Sequence, residues 1–184
     1  LGAGIFFVGY VLFEVPSNVL LHKVGARLWI ARIMITWGLI GAGMAFVQTP
    51  MQFYVLRFML GVAEAGFIPG VLYFLSCWFP SARRGKVIAL LLAAVPLSSV
   101  IGGPLSGWIL SSFAGVCGLR AWQWLFLLET IPSVILGYAV IRLLSDEPSR
   151  TPWLTADEAA MVSEDIAKEA ARNQSHSSFA SAFK

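Results

Sequence analysis

Charge is what this chain has least of. Asp, Glu, Lys and Arg make up 12% of its 184 residues, about half the share of an ordinary soluble domain. Carboxylates are the scarcest: residues 1–145 hold three, Glu14, Glu64 and Glu129, against nine basic side chains. The basic excess is strung along short polar breaks rather than gathered on one face, which excludes a nucleic-acid footprint. Histidine is nearly missing. His22 and His176 lie in polar segments with no carboxylate or cysteine at ligand spacing. Neither a metal site nor a nucleophile–base pair is therefore expected, and no enzyme chemistry or cofactor follows from these residues. The two cysteines, Cys77 and Cys117, fall on opposite sides of the organisation described next, so we expect no disulfide between them. The pattern of a cleaved signal peptide is also lacking. Because the sequence opens on Leu1, without Met and already inside an apolar run, we expect a fragment of a longer protein.

What is abundant is apolar surface: 58% of residues are hydrophobic and the mean hydropathy is +0.76. Hydropathy divides the chain into five runs near the length that crosses a bilayer, about 20 residues. They cover residues 1–21, 28–47, 52–79, 87–110 and 124–144, separated by polar breaks at 22–27, 48–51, 80–86 and 111–120. The expected fold is therefore an all-α membrane protein with five transmembrane helices in residues 1–145. Gly102-Gly103-Pro104 lies within a run and follows no strand, so it is not a phosphate loop.

Basic residues alternate between the two sides. Lys23, Arg27 and Arg32 flank the first break; Arg83, Arg84 and Lys86 fill the third; Arg142 and Arg150 flank the end of the fifth run. The second break has no basic residue and the fourth only Arg120. By the positive-inside rule the breaks at 22–27 and 80–86 and the tail at 145–184 are expected to be cytoplasmic. Trp29, Trp78, Trp108, Trp122 and Trp124 fall near run ends, as interfacial aromatic belts do. Small residues recur four apart, as Gly61 with Ala65, Gly66 with Gly70 and Gly103 with Gly107. In lipid such pairs allow close helix packing. With Pro16, Pro69, Pro96 and Pro104 they lead us to expect tightly packed, bent helices.

Beyond the fifth run comes a polar, Pro-containing linker. Thr155 and Glu158 then fit a capping box. Ala159, Val162, Ile166 and Ala170 follow at helical spacing on one face, giving an expected amphipathic helix at about 155–172. Residues 173–181, rich in Ser, are expected to be a flexible linker.

Two charges stand inside the third run. Arg57 and Glu64 are seven residues apart, nearly two helical turns, and so project from one face of one helix. Each costs roughly 2.5–3.5 kcal/mol at bilayer depth even on mild insertion scales, which marks them as functional candidates. The guanidinium stays charged and grips carboxylates in a fork; the carboxyl can carry a proton. An anion occupying Arg57 would ease protonation of Glu64, a route to moving one anion with one proton. A structural salt bridge between packed helices is the other reading of the same pair. Tyr10 and Glu14, one turn apart in the first run, face one way: Tyr10 offers a hydroxyl to a polar ligand, and Glu14 accepts a proton or pairs with a cation. Glu129, in the fifth run, reads as interfacial.

These residues carry a family likeness. The run YVLFEVPSN over residues 10–18, followed by GAR at 25–27, resembles the second helix and following loop of the anion:cation symporter family of the major facilitator superfamily. RFMLGVAEAGFIPG over 57–70 resembles its fourth helix, and WFP at 78–80 with Arg83 and Arg84 the loop after it. PLSG at 104–107, WLFLLETIP at 124–132 and WLT at 153–155 fit the fifth helix, the sixth helix and the central loop. The superfamily loop signature carries a leading Gly where Asn18 stands and an Asp where His22 stands. The resemblance implies five of the six helices of the N-terminal bundle, the second to the sixth. The first helix and the C-terminal half of the polypeptide would lie outside this chain.

It further implies a secondary active transporter in the plasma (inner) membrane, moving a small organic anion such as a sugar acid or other carboxylate with a proton. The proton gradient would be the energy source and no cofactor would be needed. Arg57 and Tyr10 would bind the substrate, Glu64 would couple the proton, and Glu14, Asn18, Lys23, Arg27, Arg83 and Arg84 would form polar or gating positions. An exchanger or exporter of the same fold remains open, as do a multi-pass membrane enzyme and a non-transporting receptor.

Overall fold

The computed structural model describes residues 1–151 and 153–176, and among them helices are joined without any strand. The order is α1 Gly2–Val24, α2 Ala26–Gly43 with a 3-10 turn at Met44–Phe46, α3 Pro50–Glu64 and α4 Phe67–Trp78. There follow α5 Ser81–Ser112, a 3-10 turn at Val116–Gly118, α6 Ala121–Leu143, a 3-10 turn at Pro148–Arg150 and α7 Ala156–His176. Counting α3 and α4 as one span, five helices are long and apolar enough to cross a membrane, matching the five runs. The polar breaks are shorter than their composition implied. Only Gly25 separates α1 from α2, and Arg83, Arg84 and Lys86 lie in the opening turns of α5 rather than in a loop. Helices extend past the apolar runs because a backbone leaving the bilayer can keep its ladder in polar side chains as readily as in apolar ones.

The third run is not one continuous helix. α3 stops at Glu64, and Ala65 (φ −53°, ψ 126°) and Gly66 (φ 85°, ψ 7°) form the two central residues of a type II turn before α4 begins at Phe67. That turn requires a positive φ at its third residue, which glycine adopts without strain. At the far end of α3, Thr49 and Gln52 form a reciprocal capping box with Pro50 at the first helical position. This start signal stands openly in the sequence as Thr-Pro-Met-Gln.

Small residues set how closely the helices pack: Gly61, Ala65, Gly66 and Gly70, two of the three expected pairs, are buried, and unexpected glycines join them. α1 crosses α3 where Gly9 meets Gly61: a Cβ on Gly9 would lie 2.5 Å from the Phe58 carbonyl oxygen, and one on Gly61 would collide with that of Phe6. α2 packs on α6 in the same way, through Gly38, Gly41 and Gly137. The pair Gly103 and Gly107, by contrast, meets nothing within 4 Å, since α5 buries Ile109 alone. Pro16, Pro96 and Pro104 sit inside helices that continue through them. Trp29 corrects the aromatic-belt expectation. It is 8% exposed, packed with Leu21, Ala26, Ile30 and Ile33 in the core cluster, because α2 turns that face onto α1 and α4 rather than to an interface. Glu129, expected at an interface, lies eight residues into α6 and accepts a hydrogen bond from Ser106 of α5 at 2.6 Å.

One end of the bundle is tied by the segment after α6. The Asp146 carboxylate accepts the Arg27 backbone N–H at 2.8 Å, with the Arg27 Nε 3.8 Å from its other oxygen. α2 begins at a glycine that offers no side-chain cap, so Asp146 performs from across the fold the service an N-cap aspartate gives its own helix, and it meets the positive end of the helix dipole. Gly25 (φ 93°) makes room, since a Cβ there would lie 3.2 Å from the Asp146 oxygens. Beside it, Trp78 of α4 donates its indole N–H to the Ser145 carbonyl at 3.0 Å and stacks on Trp153, ring centroids 5.4 Å apart. Cys77 in α4 and Cys117 between α5 and α6 are both free thiols.

α7 opens with the expected capping box: Thr155 N–H donates to Glu158 at 3.0 Å, and Glu158 N–H to Thr155 Oγ1 at 3.3 Å. Ala159, Val162 and Ile166 share the half-buried face; the Ala170 side chain lies outside the described residues. The helix runs on through residues 173–176, expected as linker, and residues 177–181 of that linker are likewise outside them.

Three outcomes are expected. Gly61→Ala forces α1 away from α3 and destabilises the folded protein by about 1–3 kcal/mol, whereas Gly85→Ala, open on all sides, is neutral or slightly stabilising; melting in detergent distinguishes them. Asp146→Ala removes a helix cap worth about 1 kcal/mol and speeds amide exchange in the first turn of α2 while leaving that of α6 unchanged. The backbone N–H and hydroxyl of Thr155 hold the Glu158 carboxyl below its usual range. Its contribution to α7 is therefore present above the ordinary carboxylate pKa of about 4.3 and disappears as pH falls through the lower folded value. Exchange at the start of α7 accelerates over that acidic window.

Candidate functional site

The α1–α3 crossing positions the site. Because Gly9 and Gly61 let the two backbones meet, Tyr10 is carried onto α3, its backbone N within 2.9 Å of where a Gly61 Cβ would be. Glu14 follows about one turn along α1, and Glu64 about one turn beyond Gly61 on α3. The structure thus brings together three polar residues from two helices, all half-buried. Arg57 lies on the same helix as Glu64, two turns away, as their spacing requires. Its guanidinium carbon sits 5.2 Å over the Phe53 ring, and its Nε is buried with no hydrogen-bond partner.

Glu64 is the last residue of α3, immediately before the type II turn. It also lines a cavity of about 210 Å³ with Ile33, Met34, Trp37, Phe67 and Ser133. The cavity is apolar apart from these few groups, and Ser133 is engaged with the Met34 carbonyl at 3.1 Å. Among the described residues Arg57 and Glu64 make no ion pair with each other. About 10 Å of helix rise separates them, and each side chain has a different neighbour. Among the described residues neither enters a salt bridge with another helix. By its chemistry a guanidinium outside any ion pair can receive an anion, and a carboxyl outside any ion pair can exchange a proton without breaking one.

The remaining candidates sit apart from this pair. Asn18 is half-buried with an unpartnered Oδ1. Lys23 is exposed in the last turn of α1. Arg27 is committed to Asp146, Arg83 is exposed, and Arg84 clasps the Phe79 carbonyl at 3.0–3.2 Å through Nη2 and Nε, holding the corner between α4 and α5. His22, at the place of the signature Asp, packs edge-on against Tyr73. Passed over in the sequence were Trp37, Ser133 and Ser17 at or near the site, the Ser17 hydroxyl donating to the Ala65 carbonyl at 2.5 Å, and Asp146 away from it beside Arg27. Trp37, an indole mid-way along an apolar run facing an ionisable residue on another, carried a faint signal. The others carried none, since their partners lie 48 to 119 residues away.

Comparison with known proteins bears on the family. Residues 1–183 match the sequence profile of the Major Facilitator Superfamily. The chain is 58% identical over 174 residues to a "Putative metabolite transport protein NicT" of Pseudomonas putida, covering 95% of this chain and 40% of that protein. It is 59% identical over 158 residues to a "Putative tartrate transporter" of Agrobacterium vitis, 86% of this chain and 35% of the other. A "Quinolone resistance transporter" of Acinetobacter baumannii is 46% identical over 171 residues, 93% and 39% of the two chains. The chain thus spans about two fifths of the length of these curated relatives. With five membrane-crossing helices, a near full-length profile match and relatives of this similarity, the chain belongs to the Major Facilitator Superfamily, as a multi-pass membrane protein.

Proposed function

We propose that this chain is part of a proton-coupled symporter for a small organic anion, with Arg57 as the anion grip, Tyr10 as a supporting hydroxyl and Glu64 as the proton carrier. The observation that carries the reading is the separation of the two charges on α3. A guanidinium with a buried, unpartnered Nε and a carboxyl two turns away that lines an apolar cavity are two parts with two jobs. Occupation of Arg57 by a carboxylate removes its positive field from the helix and favours protonation of Glu64, so anion and proton load together. Sugar acids, tartrate and similar carboxylates fit the grip, and the tartrate-transporter name of one relative supports that class. The remaining wall of the site belongs to parts of the polypeptide beyond this chain, since substrates in such folds bind between repeats near the midplane. The protein resides in the plasma membrane. Its Gly25 end, rich in Lys23, Arg27, Arg83, Arg84 and Lys86, faces the cytoplasm together with the tail.

An exchanger or exporter of the same fold is the second reading, supported by the relative named as a quinolone resistance transporter. Uptake of labelled sugar acids and tartrate into vesicles holding the complete protein, with and without an inward pH gradient, separates the two. Symport gives gradient-driven accumulation; exchange gives uptake only against a preloaded anion.

Two variants test the roles. Glu64→Gln abolishes pH-driven accumulation while anion exchange persists; unchanged accumulation in that variant sinks the proton-carrier role. Arg57→Ala raises the half-saturating anion concentration on the order of 10- to 100-fold, the loss expected for a hydrogen-bonded charge, and an unchanged value removes Arg57 from the grip.

A further inference from the structure

The third span carries a defect that another helix repairs. In a continuous helix the Ala65 carbonyl would accept from the N–H of residue 69, but that residue is Pro69, which has none. The ladders of the two halves reach up to the defect from either side, Ala65 N–H to Gly61 at 3.0 Å and Gly70 N–H to Gly66 at 3.0 Å. Between them the Ala65 carbonyl is left to find a donor within an apolar bundle, where no water substitutes. Ser17, 6% exposed on α1, supplies it, its Oγ donating to that oxygen at 2.5 Å. The fit is close: a Cβ on Gly66 would lie 2.8 Å from the same Oγ. One residue before this turn stands Glu64.

We propose that Ser17 is a positioning residue for Glu64: by satisfying the carbonyl that Pro69 orphans, it fixes the type II turn at which α3 ends and with it the place of the carboxyl beside Trp37. This rests on the reading of Glu64 as the proton carrier. Ser17 touches neither substrate nor proton; it acts through the backbone. Arg57, two turns further along α3 and beyond the Gly9–Gly61 crossing, is held independently of the turn. The two halves of the proposed cycle should therefore respond differently to its loss.

The test uses the complete polypeptide in vesicles. Ser17→Ala lowers the maximal rate of pH-driven uptake about tenfold, the consequence of one unsatisfied buried acceptor, with the half-saturating anion concentration and anion exchange within about twofold of the parent. Pro69→Ala returns an N–H at the position that can serve Ala65, so Ser17→Ala added to it costs less than about twofold, the signature of a shared partner. pH-driven uptake by Ser17→Ala equal to the parent overturns the proposal, as does a double variant no better than Ser17→Ala alone. If Ser17→Ala fails to fold, the double variant decides: recovery of folded, active protein supports the pin, and continued failure overturns it. Glu64→Gln runs alongside. Retained pH-driven uptake there overturns the proton-carrier reading instead, while the Ser17–Pro69 pin still shows as non-additive melting temperatures or falls if they are additive.

Discussion

A backbone carbonyl inside a bilayer cannot turn to water, and the arrangement of this bundle follows from where that rule is strained. The strain is at residues 65–69, where a proline removes a donor and a glycine turns the chain. Each half of the third span is then an ordinary helix, but they need not be collinear. α1 answers by approaching closely enough for Ser17 to reach the break, and it can do so only because Gly9 and Gly61 bring the backbones together eight residues earlier along α1. The close crossing, the hydroxyl and the turn are one device, and Glu64 stands at its centre.

The energetics favour separation of roles over mutual neutralisation. An Arg–Glu pair buried in contact would lock both side chains, since removing either leaves the other as an uncompensated charge in low dielectric. Held apart, each has a weaker companion, a phenyl face for Arg57 and the cavity wall that includes Trp37 for Glu64. Such companions orient a group without cancelling its charge. That keeps the guanidinium attractive to a carboxylate ligand and the carboxyl responsive to its field.

Much of this was legible in the sequence, and the boundary has a physical cause. Span number, the common helix of Arg57 and Glu64 and the cap at Thr155 depend on local composition and on spacings of three, four or seven residues. Hydropathy averages over a window, however, so a run that stays apolar through Ala65 and Gly66 reads as one helix although the chain turns there. Pro69 was visible; that its missing donor would be made good by Ser17 was not. Trp29 misled because position near a run end says nothing about which face is covered.

The clasp of Asp146 on the first turn of α2 joins residues 119 positions apart. During synthesis α2 emerges long before its cap does. Its first turn must enter the membrane with that N–H unserved, and it gains its partner only when α6 has been completed and its trailing segment has folded back. Closure of long loops is the slow element in forming non-local contacts. The early helices can insert one at a time, but the end of the bundle that bears Gly25 is clasped only after α6 and the segment behind it have been made.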